Sequence, residues 1–97
     1  MGKLNFEWDE TKSISNQRKH GVSFEEAATV FTDELARLIP DPAHSEDEER
    51  FILMGVSAEL RLLTVCHCER ATNIIRIISA RKVDKFERKQ YQEFNHA

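Results

Sequence analysis

The chain opens with alternating apolar and polar residues and continues with a long polar stretch. The alternation predicts a short strand with three apolar side chains on one face: Leu4, Phe6 and Trp8. Residues 10–20 contain one large apolar side chain, Ile14, and lie between Asp9, a good helix N-cap, and Gly21, a residue type that commonly ends helices. We therefore predict a first helix over residues 10–20 that is exposed, or else is covered by something outside the chain.

A second helix is indicated directly afterwards. Ser23 and Glu26 have the spacing of a capping box, in which each side chain bonds to the other's backbone N–H. Four apolar residues follow the spacing of a buried helical face: Phe24, Ala27, Ala28 and Phe31. The pattern predicts a buried second helix that ends near Asp33.

The second half of the chain is typical of a small sheet closed by a helix. A short strand is predicted over residues 35–39, stopped by Pro40 and Pro42, and from about residue 82 to residue 94 the chain turns helical. Three further strands with hairpin-length connections predict an antiparallel meander: residues 50–57, 61–69 and 73–79. We therefore predict a single α+β domain over residues 1–97. It has a small antiparallel sheet of three or four meander strands plus the N-terminal strand, two N-terminal helices and one C-terminal helix.

Composition and charge narrow the classes of function. Hydrophobic residues are 40% and charged residues 32% of the 97 residues, which excludes a disordered chain and a membrane-spanning one. The opening residues show no signal peptide, so we expect a cytoplasmic protein with no membrane partner. Residues 1–50 hold 6 Lys and Arg against 12 Asp and Glu, whereas residues 51–97 hold 8 against 5. Such asymmetry is common by chance, but it also fits an anionic ligand on one face and a cationic partner on another.

The histidines and cysteines do not have the spacing of a metal site. None of the usual zinc-ligand patterns includes any of the four histidines: His20, His44, His67 and His96. Cys66 and Cys68 flank His67, but on a strand the imidazole faces the other way from the two thiols. The thiols continue the face of Leu62 and Thr64, which favours a core role over a ligand or nucleophile role. There is no glycine-rich phosphate loop either. We expect no metal and no cofactor.

Arginine is the more informative residue type. Four arginines fall on or beside the last two predicted strands: Arg61, Arg70, Arg76 and Arg81. Strict alternation along the last strand puts Arg76 on one face and Arg81 on the other. Any single one is explained by an ion pair with Glu69, with Glu87 or with one of the acidic carboxylates of residues 46–49. As a group beside a basic C-terminal helix, they favour anion binding, because a guanidinium fork suits phosphate.

An acidic run, residues 46–49, lies between the short strand and the meander. It is typical of a solvated loop, and its alternative role is a docking surface for a basic partner. His44 beside it is able to act as a general acid or base, since imidazole titrates near neutrality, although a lone loop histidine is more often simply exposed.

Several strings are specific in combination, above all KHGVSFEEA (residues 19–27) and IRIISAR (residues 75–81). Shorter matches accompany them: Phe6-Glu7-Trp8-Asp9, Lys12, Asn16, Val30-Phe31, His44-Ser45 and Glu48-Glu49-Arg50. Together they strongly resemble the BrnT family, the toxins of bacterial type II toxin–antitoxin pairs. The resemblance extends from residue 4 to about residue 93, and only Val83-Asp84 departs from the small or polar residues expected there.

The resemblance implies a fold like that of the RelE-type ribonuclease toxins, a small antiparallel sheet with helices against it. It implies metal-independent cleavage of an RNA substrate that arrests translation. It also implies a BrnA-like antitoxin with a ribbon-helix-helix domain, and DNA binding only through that complex, which would repress its own promoter. A basic partner of this kind would explain the polar first helix and the acidic N-terminal half.

Such cleavage needs cations at the phosphate, a base for the ribose 2′-hydroxyl and an acid for the leaving oxygen. We expect a phosphate-binding face with Arg81 nearest the chemistry, made of Arg61, Arg70, Arg76 and Arg81. Our hypothesis makes Glu69 or His44 the base, while Glu87 and Tyr91 are further candidates that the residues do not rank. Four other cations are expected to steer RNA by charge alone: Lys19, Arg50, Arg88 and Lys89.

Two other functions stay open from the sequence. One is a catalytically inactive, toxin-like binding module that modulates a DNA-binding partner. The other is an interaction domain without toxicity, whose charged faces only keep it in solution.

Overall fold

The computed structural model describes residues 3–41 and 48–96. Within them the helices and strands are, in chain order, β1 (Asn5–Glu7), α1 (Glu10–His20), α2 (Phe24–Thr29), β2 (Arg37–Pro40), β3 (Arg50–Val56), β4 (Leu62–Ala71), β5 (Ile74–Lys82) and α3 (Lys85–His96). The predicted α+β class and the order of strand, two helices, strands and final helix are confirmed.

The described strands form one five-stranded sheet in the order β1-β5-β4-β3-β2. Strands β2, β3, β4 and β5 each pair antiparallel with the next strand in this series, as the predicted meander requires. Strand β1 instead pairs parallel with β5, with Asn5 opposite Ile74 and Glu7 opposite Arg76. The expectation of an antiparallel sheet is therefore wrong at this edge, where the sheet is mixed. The helices that follow β1 give the chain the long connection that parallel pairing needs.

The two N-terminal helices show which of the predicted helix caps are present in the structure. Helix α1 has the predicted bounds: the Asp9 side chain accepts the Lys12 N–H at 3.0 Å, and Gly21 ends the helix at φ +71°, in the left-handed region. Helix α2 stops at Thr29 and continues only as a 3₁₀ turn. Its N-cap Ser23 accepts the Glu26 N–H at 3.0 Å, but the Glu26 carboxylate points elsewhere, so only half of the expected capping box forms.

One face of the sheet is covered by α2 and the segments around it; we call it the covered face. Its main core residues are Val22, Phe24, Ala27, Val30, Leu63, Val65, Ile77 and Ala80. His67 is buried on this face against Phe31, with ring centroids 4.8 Å apart, and burial lowers its pKa, so the imidazole is neutral there. The opposite side, which we call the open face, carries Thr64, Cys66 and Cys68 of β4 by alternation.

Helix α3 crosses the end of the sheet from β5 to β2. The Tyr91 hydroxyl donates to Asp33 Oδ2 at 2.8 Å, and the Asn95 amide donates to the Leu35 carbonyl at 3.3 Å. The Arg37 guanidinium lies 5.0 Å from the centre of the Phe94 ring. These contacts hold the second half of α3 against the segment around β2, while the first turn of α3 follows β5 directly and so lies close to Arg81.

Candidate functional site on the open sheet face

A β-bulge in β5 decides which arginines share a face. Between Arg76 and Arg81 the register with β4 shifts, and Ile78 is left as the extra residue. The extra residue reverses the alternation, so Ala80 turns into the core and Arg81 lies opposite Thr64. Arg81 therefore shares the open face with Arg76, and the prediction that the two lie on opposite faces is wrong.

Three arginines and two carboxylates form a chain of ion pairs at one end of the open face. Arg76 Nη1 lies 3.1 Å from Glu7 Oε2, and Arg70 lies 3.8 Å from Glu7 and 3.6 Å from Glu48. Arg50 Nη2 lies 3.7 Å from Glu48 Oε1. These side chains are 30–50% exposed, and each exposed ion pair of this kind contributes only about 0–1 kcal/mol to the stability of the fold. A phosphate is therefore able to compete for the same guanidinium groups.

Arg81 is held by a bidentate carboxylate. Its Nη1 and Nη2 donate to the two oxygens of Glu87 at 2.7 and 2.8 Å. Glu87 also completes a capping box at the start of α3: it accepts the Asp84 N–H at 3.0 Å, and Asp84 accepts its N–H at 2.8 Å. The bond from Arg81 lowers the pKa of Glu87, so the carboxylate is charged near neutral pH. A phosphate and a carboxylate bind a guanidinium fork in the same way, so Glu87 occupies the donors that a phosphate would use.

A shallow cavity of about 260 Å³ lies between these groups on the open face. Its polar lining residues are Asp41, Arg50, Thr64, Cys66, Ser79 and Arg81. Thr64 Oγ1 is buried and has no hydrogen-bond partner among the described residues. Burial raises the pKa of the Cys66 thiol, which is therefore protonated and poorly nucleophilic. Two guanidinium groups beside hydroxyls suit an anion with several oxygen acceptors.

Arg61 lies apart from the other three arginines. Its Nε donates to Glu26 Oε2 at 2.8 Å and its Nη2 to the Gly21 carbonyl at 2.9 Å, on the covered side of the sheet. Glu26 also accepts the Ser57 hydroxyl at 2.7 Å, and its bonds to Arg61 lower its pKa. The expectation that Arg61 belongs to the same face as Arg81 is wrong, because the turn before β4 directs it toward α2. A role for Arg61 in RNA cleavage stays a prediction.

The acid–base candidates are dispersed. Glu69 is exposed and, by alternation with Cys68, points to the covered side, away from the open-face arginines. His44 lies outside the described residues. Burial and the bond to Asp33 raise the pKa of Tyr91 to about 12. Within residues 3–41 and 48–96, Glu87 is the candidate that touches an open-face arginine.

The four predicted steering cations occupy three different surfaces. Arg50 lines the open-face cavity and so joins the arginines of that face. Lys19 lies on α1, in a groove beside β5. Arg88 lines a cavity of about 440 Å³ beneath α3, and Lys89 on the same helix is exposed and lies 3.8 Å from Glu93.

Sequence reasoning missed several residues of the open face. Alternation placed Thr64 correctly on one face with Cys66, but that face was interpreted as core and not as the lining of a cavity. Glu7 was missed, because no local pattern predicts the register that joins it to Arg76. Glu48 belongs to the acidic run 46–49, whose carboxylates were predicted as alternative ion-pair partners, and its pair with Arg70 confirms that alternative.

Two further features bear on the class of site. The described part of the chain contains no cluster of three or more His, Cys, Asp or Glu side chains suited to a metal ion. None of the helices in that part has the length and apolar character needed to cross a membrane.

Comparison with known proteins gives the family. The family described as a ribonuclease toxin, BrnT, of type II toxin–antitoxin systems matches residues 8–87. The chain belongs to the BrnT family. The match runs from the end of β1 into the first turn of α3, so it includes Arg81 and Glu87.

One solved member of the BrnT family has a similar fold. The crystal structure of the Brucella abortus ribonuclease toxin BrnT superposes with a TM-score of 0.67 over 86% of this chain and 100% of that chain, at 22% sequence identity. At this identity the likeness establishes the fold. No curated protein matches the chain.

Proposed function

We propose that this chain is an endoribonuclease toxin that cleaves RNA without a metal ion, inhibits translation, and binds its substrate on the open face. Membership of a family of ribonuclease toxins supports the class of reaction. The observation that carries the choice of surface is the bulge in β5, which puts Arg81 on the same face as Arg76. Arg81 there lines one cavity together with Arg50 of β3.

The chemistry follows from the donors at this cavity. The 2′-oxygen of a ribose attacks the adjacent phosphorus while the bond from phosphorus to the 5′-oxygen breaks, which leaves a 2′,3′-cyclic phosphate and a 5′-hydroxyl. A base takes the 2′-hydroxyl proton and an acid gives one to the departing 5′-oxygen. Arg81 and Arg50 stabilise the negative charge that builds up on the phosphate oxygens. The Glu87 carboxylate orients Arg81 until the phosphate takes the place of this carboxylate on the guanidinium group.

Of the two predicted bases, His44 is favoured over Glu69. Glu69 points to the covered side of the sheet, away from the open-face arginines. An imidazole also titrates closer to neutral pH than a carboxylate. Arg70 and Arg76 then bind flanking phosphates, in competition with their carboxylate partners.

The proposed partner is a BrnA-like antitoxin with a ribbon-helix-helix domain, and DNA is bound only through that complex. The type II class implies an antitoxin. Helix α1 offers it an exposed surface, since Ile14, its one large apolar residue, is 48% exposed.

The direct test is to incubate purified protein with single-stranded RNA in EDTA and to analyse the ends of the products. We expect fragments ending in 2′,3′-cyclic or 3′-phosphate, and no cleavage of the same strand made with 2′-O-methyl riboses, because the nucleophile is then blocked. Cleavage that requires added metal would contradict the proposal. No cleavage at micromolar protein, with antitoxin binding intact, would favour the inactive binding module.

A further inference from the structure

Helix α1 is attached to the sheet by an amide rather than by apolar side chains. Asn16 Nδ2 donates to the Ala80 carbonyl at 2.8 Å and to the Val22 carbonyl at 2.9 Å, and its Oδ1 accepts the Ala80 N–H at 3.1 Å. The described part of β1 pairs with β5 only as far as Arg76, so α1 packs on the stretch of edge that follows. The contact between α1 and β5 is consequently polar.

A groove of about 220 Å³ runs along this contact; we call it the α1 groove. Its helical side is a single stripe of α1 at helical spacing: Lys12, Ser15, Asn16, Lys19 and His20. Its other side is formed by Ile78 and Ser79, the residues at the bulge, and both of them also line the open-face cavity. The two depressions therefore adjoin at the bulge, and one extended ligand that crosses Ile78 and Ser79 would reach both.

The charged side chains of the two depressions differ in whether they form ion pairs with carboxylates. On the open face Arg70, Arg76 and Arg81 each lie within 4 Å of a carboxylate oxygen. In the α1 groove, Lys12 and Lys19 form no ion pair with a described residue, and both are exposed. An anion entering the α1 groove meets ammonium groups without having to displace a carboxylate.

We propose that the α1 groove is a second phosphate subsite, which binds a phosphate of the same RNA strand on one side of the phosphate held at the open face. The inference rests on the proposed function and extends it, because it assigns Lys12 and Lys19 to a defined subsite next to the bulge. Lys19 then makes a specific phosphate contact, and Ser79 lines the passage between the two phosphates.

The test uses RNA that cannot be cleaved: a 2′-O-methyl dinucleotide, which has one phosphodiester, and a longer 2′-O-methyl single strand. Lys19→Gln is compared with Arg18→Gln, its neighbour on α1, which carries the same charge and does not line the groove. We expect Lys19→Gln to weaken binding of the longer strand by about fourfold near 0.15 M salt and to leave dinucleotide binding unchanged. Arg18→Gln is expected to change neither.

Salt dependence gives an independent measure. The Lys12→Gln/Lys19→Gln double variant is expected to lower the slope of log affinity against log salt by about 0.7, because the subsite holds one phosphate and each phosphate bound on a single strand contributes about 0.7. Equal effects of Lys19→Gln and Arg18→Gln would overturn the subsite, since only overall charge would then matter. Unchanged RNA binding with weakened antitoxin binding would overturn it too and assign the groove to the protein partner. If the unsubstituted protein neither binds nor cleaves RNA, the proposed function itself fails.

Discussion

Replacing Glu87 by Gln separates the two roles of this side chain. Gln still accepts the backbone N–H in a capping box, so the start of α3 is preserved, while the charge that holds Arg81 is removed. Arg81 is 44% exposed, so we expect the loss of the ion pair to lower the free energy of unfolding by only about 0.5 kcal/mol. That corresponds to a fall in Tm of about 2–4 °C for a domain of this size.

RNA affinity should move in the opposite direction. If Glu87 and a phosphate compete for the fork of Arg81, the free energy lost from the ion pair is gained on binding, a tightening of about twofold and at most about fivefold. The assay is fluorescence anisotropy with a labelled 2′-O-methyl RNA. Glu93→Gln is the matched control, because it removes the same charge from the same helix at a pair that is 67–75% exposed and involves Lys89 instead.

The comparison of the two variants shows whether Glu87 competes with RNA for Arg81. Equal affinities for RNA in Glu87→Gln and Glu93→Gln would refute the competition, and weaker binding by a folded Glu87→Gln protein would refute it more strongly. Arg81 would then be a structural partner of α3 rather than a phosphate ligand.

Three further predictions concern residues that hold the helices and strands around the site in place. Asn16→Ala removes three buried hydrogen bonds to main-chain groups, so we expect the free energy of unfolding, measured by chemical denaturation, to fall by about 3 kcal/mol. A fall of less than about 1 kcal/mol would contradict the attachment of α1 to β5 through Asn16. Gly55→Ala should lower the free energy of unfolding, measured in the same way, by about 1–3 kcal/mol, because a Cβ there would lie 2.8 Å from the Ala36 Cβ and 2.9 Å from Asp33 Oδ2. Tyr91 is the one tyrosine of the chain, so phenolate absorbance should show a midpoint near 12 that falls toward the ordinary 10 in Asp33→Asn. Because the folded pKa is raised, this group stabilises the fold below a pH of about 10 and the stabilisation is lost as the pH rises through 12; an unshifted midpoint would contradict the Tyr91–Asp33 bond.

Local signals predicted the local structure well. Asp9 and Gly21 bound α1 because capping depends on residues within one turn of the helix end. The capping box at α2 failed for a non-local reason: Glu26 finds a charged partner in Arg61, which lies in the turn between β3 and β4. Alternation likewise misplaced Arg81, because a bulge depends on pairing with the neighbouring strand and leaves no mark in the alternation itself.

The sequence predicted which residue type gathers on the open face better than it predicted how those residues are arranged. The expectation that arginines gather on a sheet face holds for Arg70, Arg76 and Arg81, and the alternative of an ion pair with Glu87 is also correct for Arg81. Both hold at once, since exposed ion pairs are weak enough for a phosphate to displace. The partner of Arg61 depends on contacts between distant segments, which residue spacing does not encode.

The role of the open face in RNA cleavage is tested by the rate at which the purified protein cleaves single-stranded RNA. The rate is compared between the unsubstituted chain, Arg81→Ala and Arg18→Ala. Circular dichroism establishes that both variants are folded. We expect Arg81→Ala to reduce the rate by about 10², since a cation is then missing where charge develops, and Arg18→Ala to leave it unchanged. An unchanged rate in a folded Arg81→Ala protein would contradict the assignment of RNA cleavage to the open face.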